Sequence, residues 1–152
     1  MYKKLCAIAI SSSLFAGCAS VPLESIEKSN AAKQFSAPAE GTAGLYIYRS
    51  GSVGGALKMD VWVDDDCVGE TAPNVFFYEA VQADKKHKIS TESEFSSNDI
   101  SLKTENGKNY FIQQFIKMGV FVGGAGVRVV DEEEGKKKVQ KLKLAKSGTC
   151  SK

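Results

Sequence analysis

The run Met59-Asp60-Val61-Trp62-Val63-Asp64-Asp65-Asp66-Cys67-Val68-Gly69-Glu70-Thr71 decides the fold class. Met59, Val61 and Val63 alternate with Lys58, Asp60 and Asp64, the period-two signature of a half-buried strand. The three aspartates supply a tight turn, and Cys67 to Thr71 returns as the second arm of a hairpin.

Outward from this hairpin the same grammar repeats. Upstream, Gly44-Leu45-Tyr46-Ile47-Tyr48-Arg49 reads as a strand ended by Gly51, Gly54 and Gly55. Downstream, Pro73-Asn74 breaks the chain before a bulky strand over Val75 to Val81, which holds Phe76, Phe77 and Tyr78. Lys88 to Glu92 and Asp99 to Lys103 follow as strands. The turn Glu105-Asn106-Gly107-Lys108 leads into Asn109 to Ile116, and Asn-Gly between alternating segments signals a hairpin. In that last strand Tyr110, Ile112 and Gln114 point one way, and Phe111, Gln113 and Phe115 the other. Val120 to Val122 and Val127 to Val130 make one or two more strands around Gly123-Gly124-Ala125-Gly126. Seven or eight short strands with almost no helix between them predict a mainly β protein, an antiparallel β-sandwich or a barrel-like variant of it.

The end of the chain changes chemistry. Asp131 to Glu134 is acidic and Lys136 to Lys146 strongly basic, an order that suits a helix dipole. Glu132–Lys136, Glu133–Lys137 and Glu134–Lys138 are i,i+4 pairs in the favourable orientation, and Val139, Leu142 and Ala145 form a narrow apolar stripe. The spacing predicts a C-terminal helix, with a strand over Lys141-Leu142-Lys143-Leu144 as the competing reading.

The beginning carries an address. Lys3 and Lys4 precede a mostly apolar run of about eleven residues, Leu5 to Phe15, half of the roughly twenty a spanning helix needs. Phe15-Ala16-Gly17-Cys18 resembles a bacterial lipobox, in which the cysteine is acylated and becomes the new N-terminus. Phe15 stands where that motif usually has Leu, so ordinary cleavage without lipid and an uncleaved anchor stay open as competitors. Ala19 rather than Asp after the cysteine implies, by the same resemblance, sorting to the outer membrane with the body on the periplasmic face. Residues 19–42 are rich in Ser, Ala, Glu, Lys, Asn and Pro. They read as a tether with a short helical turn around Leu23 to Phe35, and about 24 flexible residues reach on the order of 25–30 Å.

Lys3 and Lys4 leave with the leader, so 18 of the 20 basic residues remain against 18 acidic ones. A balanced charge argues against nucleic acid as a partner. Of the four cysteines, Cys6 lies in the leader and Cys18 is the lipidation candidate, which leaves Cys67 and Cys150. In an oxidising compartment these two are candidates to pair. Two unpaired thiols, one in a strand and one on a frayed tail, are the alternative. The resulting domain plan is a signal peptide over 1–17, a lipidated N-terminus and tether over 18–42, a β-sandwich with a C-terminal helix over 43–146, and a tail over 147–152.

The run Val61-Trp62-Val63-Asp64, then Val68-Gly69-Glu70-Thr71-Ala72-Pro73, then His87-Lys88-Ile89 resembles the PEGA domains of surface-layer and carbohydrate-regulatory proteins. This chain has Asp84-Lys85-Lys86 where those modules carry Pro-Gly before the histidine. With the lipobox, Gly44 to Arg49 and Asn109-Tyr110-Phe111, residues 1–145 resemble a family of proteobacterial lipoproteins of unknown function. That resemblance implies a β-sandwich and brings no catalytic residues.

Few residues offer chemistry. His87 is the single histidine, next to three lysines with no obvious carboxylate partner in sequence though fold contacts could supply one, and reads as a solvated or turn-stabilising side chain. Asp64-Asp65-Asp66 lacks the alternate ligands and distal Glu of a calcium loop and reads as a turn. The glycines from Gly119 to Gly126 lack the phosphate-loop spacing. Trp62, Phe76, Phe77, Tyr78, Tyr110, Phe111 and Phe115 are core at strand spacing, with a glycan- or lipid-binding face as the sharper reading. No metal or cofactor is expected. The leading expectation is a non-enzymatic, lipid-anchored module that binds or scaffolds an envelope protein or polysaccharide. The alternatives are an envelope hydrolase using paired carboxylates among Glu79, Glu92 and Glu94, and a carrier with an apolar cavity between the sheets.

Overall fold

The computed structural model describes residues 17–92, 98–117 and 123–151. A short helix α1 (Ile26–Ala32) precedes strands β1 (Thr42–Arg49), β2 (Met59–Val63), β3 (Asp66–Thr71), β4 (Val75–Gln82) and β5 (Lys86–Thr91). After these come β6 (Asn98–Lys103), β7 (Asn109–Lys117), β8 (Gly124–Val130), helix α2 (Glu132–Val139) and the two-residue β9 (Lys143–Leu144). One sheet has the order β8-β7-β1-β4-β9, the other β3-β2-β5-β6.

The expected hairpin is β2 and β3, paired antiparallel with Met59 opposite Thr71. Its two-residue turn places Asp64 and Asp65 at φ of 52° and 69°. Positive φ at both central positions matches the twist of the flanking strands, and aspartate tolerates it.

Leu45 and Ile47 of β1, Phe77 of β4 and Ile112 of β7 meet Val61, Val63, Val68 and Ile89 of the smaller sheet in the sandwich core. The opposite face of the larger sheet is also covered. Tyr46, Tyr48, Phe76 and Phe111 pack there with Phe35, Val139 and Leu142. β1 is therefore buried from Ala43 through Arg49 without alternation. A strand covered on both sides needs apolar residues on both.

The larger sheet departs from the antiparallel expectation. β1 pairs antiparallel with β4 but parallel with β7, and β9 lies parallel to β4. The turn at Glu105 to Lys108 does not close a hairpin, because β6 belongs to the smaller sheet and β7 to the larger. The turn instead caps the entry to β1: Asn106 Oδ1 accepts from the Gly41 N–H at 2.8 Å, and Gly107 N–H donates to Thr42 O at 2.9 Å. The Asn-Gly signal is local, whereas the all-apolar β1 requires a partner on each side. Val120 to Val122 lie outside the described residues.

The C-terminal segment uses both readings in succession. Asp131 caps α2, its carboxylate accepting from Glu134 N–H at 2.9 Å, and Glu132 pairs with Lys136. The helix ends at Val139, and Lys143–Leu144 then adds to β4 beside Val75 and Phe76. Gly135 sits where α2 crosses Phe111 so closely that a Cβ would enter the phenyl ring.

The stretch expected as a free tether lies on the body from Ala19 onward, and only its helical turn matches the expectation. Ala19 N–H donates to Gly55 O at 2.8 Å, Glu24 N–H to Leu144 O at 2.9 Å, and Lys146 N–H returns to Pro22 O at 2.9 Å. Leu23 bridges to Ala145. Phe35 packs edge-on against Tyr46 and Phe111, while Asn109 Nδ2 donates to the carbonyls of Phe35 and Ser36. A segment with few large apolar side chains docks here mainly through its backbone groups. The expected signal peptide falls almost wholly in residues 1–16, outside the described residues.

Candidate functional site

Two regions collect the residues with chemical potential. The first surrounds Cys18, whose thiol is free and exposed. One residue later the chain is bonded to Gly55, in the loop between β1 and β2. Arg49, the last residue of β1, shapes that loop. It is only 1% exposed, and its guanidinium donates to the carbonyls of Leu57 (2.7 Å), Val53 (3.2 Å) and Gly54 (2.5 Å). Burial draws its pKa below the ordinary value, and its Nε has no hydrogen-bond partner. Three carbonyls thus share one buried cation, which fixes a glycine-rich loop that composition alone would leave loose. Beside it, Ala19, Ser20, Val21 and Leu23 form a cleft of about 240 Å³ with Lys141 and Lys143 on its wall.

The second region is the mouth of the sandwich, a cleft of about 270 Å³ lined by Asp64, Asp66, Cys67, Glu79, Lys85 and His87 among others. His87 is buried at 3% exposure rather than solvated, because the fold brings to it the carboxylate of Asp64, 23 positions away in sequence. Its Nδ1 lies 2.6 Å from Asp64 Oδ2 and its Nε2 2.8 Å from the carbonyl of Gln82. Lys88 N–H donates to the other Asp64 oxygen at 2.9 Å. Partial burial opposes ionisation of Asp64, but the Lys88 N–H, the His87 ring and the Lys85 charge outweigh it and hold the carboxyl below its usual range. Glu79 accepts from Ser147 Oγ at 2.7 Å. The imidazole and Glu79 are thereby engaged in bonds that pin turn and tail.

The tail itself is held, not frayed. Cys67 and Cys150 form a disulfide across 83 residues, with Cα atoms 6.1 Å apart. Ser151 donates from its backbone N–H and from its hydroxyl to the buried carboxylate of Asp60, at 3.0 and 2.8 Å to Oδ2. Between the sheets, Gln114 accepts from Thr71 and donates to Thr91 Oγ1 at 2.6 Å, and Thr91 donates to Asp60 O at 2.8 Å. This polar bridge stitches β7 to β3 and β5.

Of the expected acidic candidates, Glu79 lines the mouth cleft while Glu92 follows β5, its carbonyl bonded to Ala125 N–H, and Glu94 lies outside the described residues. The aspartate triplet is a turn, as expected. Phe77 belongs to the inter-sheet core, and Phe76 and Phe111 lie in the cluster shared with the helices. An apolar groove of about 460 Å³ runs along α1 past Ala31, Pro38, Tyr46, Tyr78 and Leu144. Among the described residues no group of three or more His, Cys, Asp or Glu is placed to hold a metal, and no helix is long and apolar enough to cross a membrane. Arg49, Asp60 and Gln114 were not singled out from sequence. The available signal was a charged or amide side chain in an otherwise apolar strand register.

Residues 39–125, from just before β1 to the start of β8, match the family described as protein of unknown function DUF2846. The chain belongs to this family. It is similar to an uncharacterized protein of Haemophilus influenzae, 58% identical over 134 residues that cover 88% of this chain and 79% of that protein. No solved structure matches the chain. The DUF2846 match includes the hairpin, Cys67, Asp64 and His87, and stops before α2 and Cys150.

Proposed function

We propose that this DUF2846 protein is a lipid-anchored module of the bacterial cell envelope, held on the periplasmic face of the outer membrane through Cys18. It acts by binding or scaffolding an envelope protein or polysaccharide. The observation that carries the reading is Cys18: it closes a lipobox-like quartet, its thiol is exposed, and a folded body begins one residue after it. The Cys67–Cys150 bridge supports an oxidising compartment. The β2–β3 hairpin with its aspartate turn supports the PEGA-like character of the body.

The test is fractionation of native protein and a Cys18→Ser variant, with mass analysis of the N-terminal fragment. The expected outcome is a fatty-acylated Cys18 in the outer-membrane fraction, and an unprocessed or membrane-free variant. A variant that is processed and retained like the native chain overturns the anchor. Crosslinking in the intact envelope then identifies the partner. One observation favours a hydrolase as a second reading: Asp64, Asp66 and Glu79 line a single cleft. On that reading Asp66→Asn and Glu79→Gln each abolish turnover of an envelope polysaccharide, and neither affects partner crosslinking.

A further inference from the structure

We infer that the body rests directly on the lipid surface through the face around Cys18, made of the Val53 loop and of Lys141 and Lys143, and that its occupant is an anionic phospholipid bilayer. The inference depends on the acylation proposed above and adds to it an orientation and a contact surface.

The first support is chain length. A long tether would let the sandwich stand off the membrane in any orientation, but Ala19 is already bonded to Gly55. A single residue step is about 3.5 Å. Acyl chains on Cys18 therefore leave no room for the β1–β2 loop to sit far from the headgroups. Arg49 holds that loop from beneath through three carbonyls, so it approaches the bilayer as a preformed element.

The second support is what the face displays. Among the described residues the exposed large apolar side chains are Leu23, Ile26, Val53 and Val129. Val53, 70% exposed, lies in the loop that Ala19 touches, and Leu23 and Ile26 fall within eight residues of Cys18. The third is charge. Lys141 and Lys143 share the cleft wall with Ala19 to Leu23, both are exposed, and neither belongs to an ion pair among the described residues. Lysines beside an acyl attachment meet the negative potential of an anionic leaflet, while single apolar side chains enter the interface.

The test uses the full acylated chain in vesicles of phosphatidylethanolamine and phosphatidylglycerol whose acyl chains carry bromine. A tryptophan reporter is placed by Val53→Trp or, as the distal control, by Lys85→Trp, with Trp62 a common background. Arg49 pairs with Val75 and Thr42 with Gln82, so Lys85 lies beyond the far end of a seven-step ladder spanning roughly 23 Å. The expected result is strong quenching and a blue shift for the Val53→Trp reporter and neither for the control. Adding Lys141→Glu and Lys143→Glu together reduces the quenching in anionic vesicles at low salt. Equal, weak quenching at both positions in protein whose Cys18 acylation is verified by mass overturns the inference and leaves the lipoprotein reading intact. Absence of acylation overturns both. Quenching unchanged by the glutamate pair removes the lysines from the face.

Discussion

The Nδ1 of His87 lies 2.6 Å from Oδ2 of Asp64, and the same ring's Nε2 faces the carbonyl of Gln82 at 2.8 Å. An ionised carboxylate and a carbonyl both accept only, so the His87 ring is held between two acceptors. The clamp joins the aspartate turn of the β2–β3 hairpin to the turn between β4 and β5. Its Asp64 carboxyl has a pKa below the usual range when folded. Such a group adds stability that is complete above the ordinary carboxylate pKa and is lost as the pH falls through the folded value. Asp64→Asn is expected to cost about 1 kcal/mol near neutrality, since the turn is partly open to solvent. Urea unfolding across pH checks it: the native and variant curves separate at neutral pH and converge in acid.

Gly135→Ala reverses the usual ranking of helix residues. In an open helix alanine is favoured over glycine by about 1 kcal/mol. Here the added methyl meets the Phe111 ring, which is itself locked against Tyr46 and Phe35. The expected effect is a loss of about 1–3 kcal/mol on denaturant unfolding. The companion variant Gly107→Ala, in a turn where a Cβ meets nothing but φ is 75°, loses less.

Replacing Arg49 uncovers three carbonyls at once. Arg49→Met keeps the apolar stem but leaves the loop acceptors at Val53, Gly54 and Leu57 without their donor. The expected cost is about 2–4 kcal/mol, with limited proteolysis appearing first at residues 50–58. Arg49→Lys recovers only part, because one ammonium lacks the guanidinium's planar fork.

Reducing the Cys67–Cys150 bond, or replacing both cysteines by serine, reopens a loop of 83 residues. The chain-entropy relation gives about 4.5 kcal/mol for a loop of that length. The melting temperature falls with reductant in the native protein and is insensitive to reductant in the double variant. Mass analysis without reductant finds no free thiol on either cysteine.

The hairpin at residues 59–71 was legible because its information is local: alternation on the strands and turn chemistry between them. The cap at Asp131 and the switch of charge along α2 were legible for the same reason. β1 was legible as a strand but not as the centre of its sheet, since Leu45-Tyr46-Ile47-Tyr48 carries apolar residues on both faces and no period separates one face from the other. The parallel pairing with β7 joins segments more than sixty residues apart and leaves no mark on either. Residues 19–42 looked free because the bonds that dock them, Ala19 to Gly55 and Glu24 to Leu144, are made by backbone groups common to every residue. His87 looked isolated because its carboxylate lies 23 positions away.

The bridge from Leu23 to Ala145, with β9 beside β4 and Ser151 on Asp60, sets a timetable for maturation. A sheet whose last strand, and whose fastening to the opening segment, come from residues 143–145 stays ajar until that stretch has been synthesised. Until those residues emerge, Phe76 and the Asp60 carboxylate lack part of their cover. A chain stalled or clipped near Leu142 would therefore present sticky surface to whatever quality control patrols its compartment, however complete the earlier strands were.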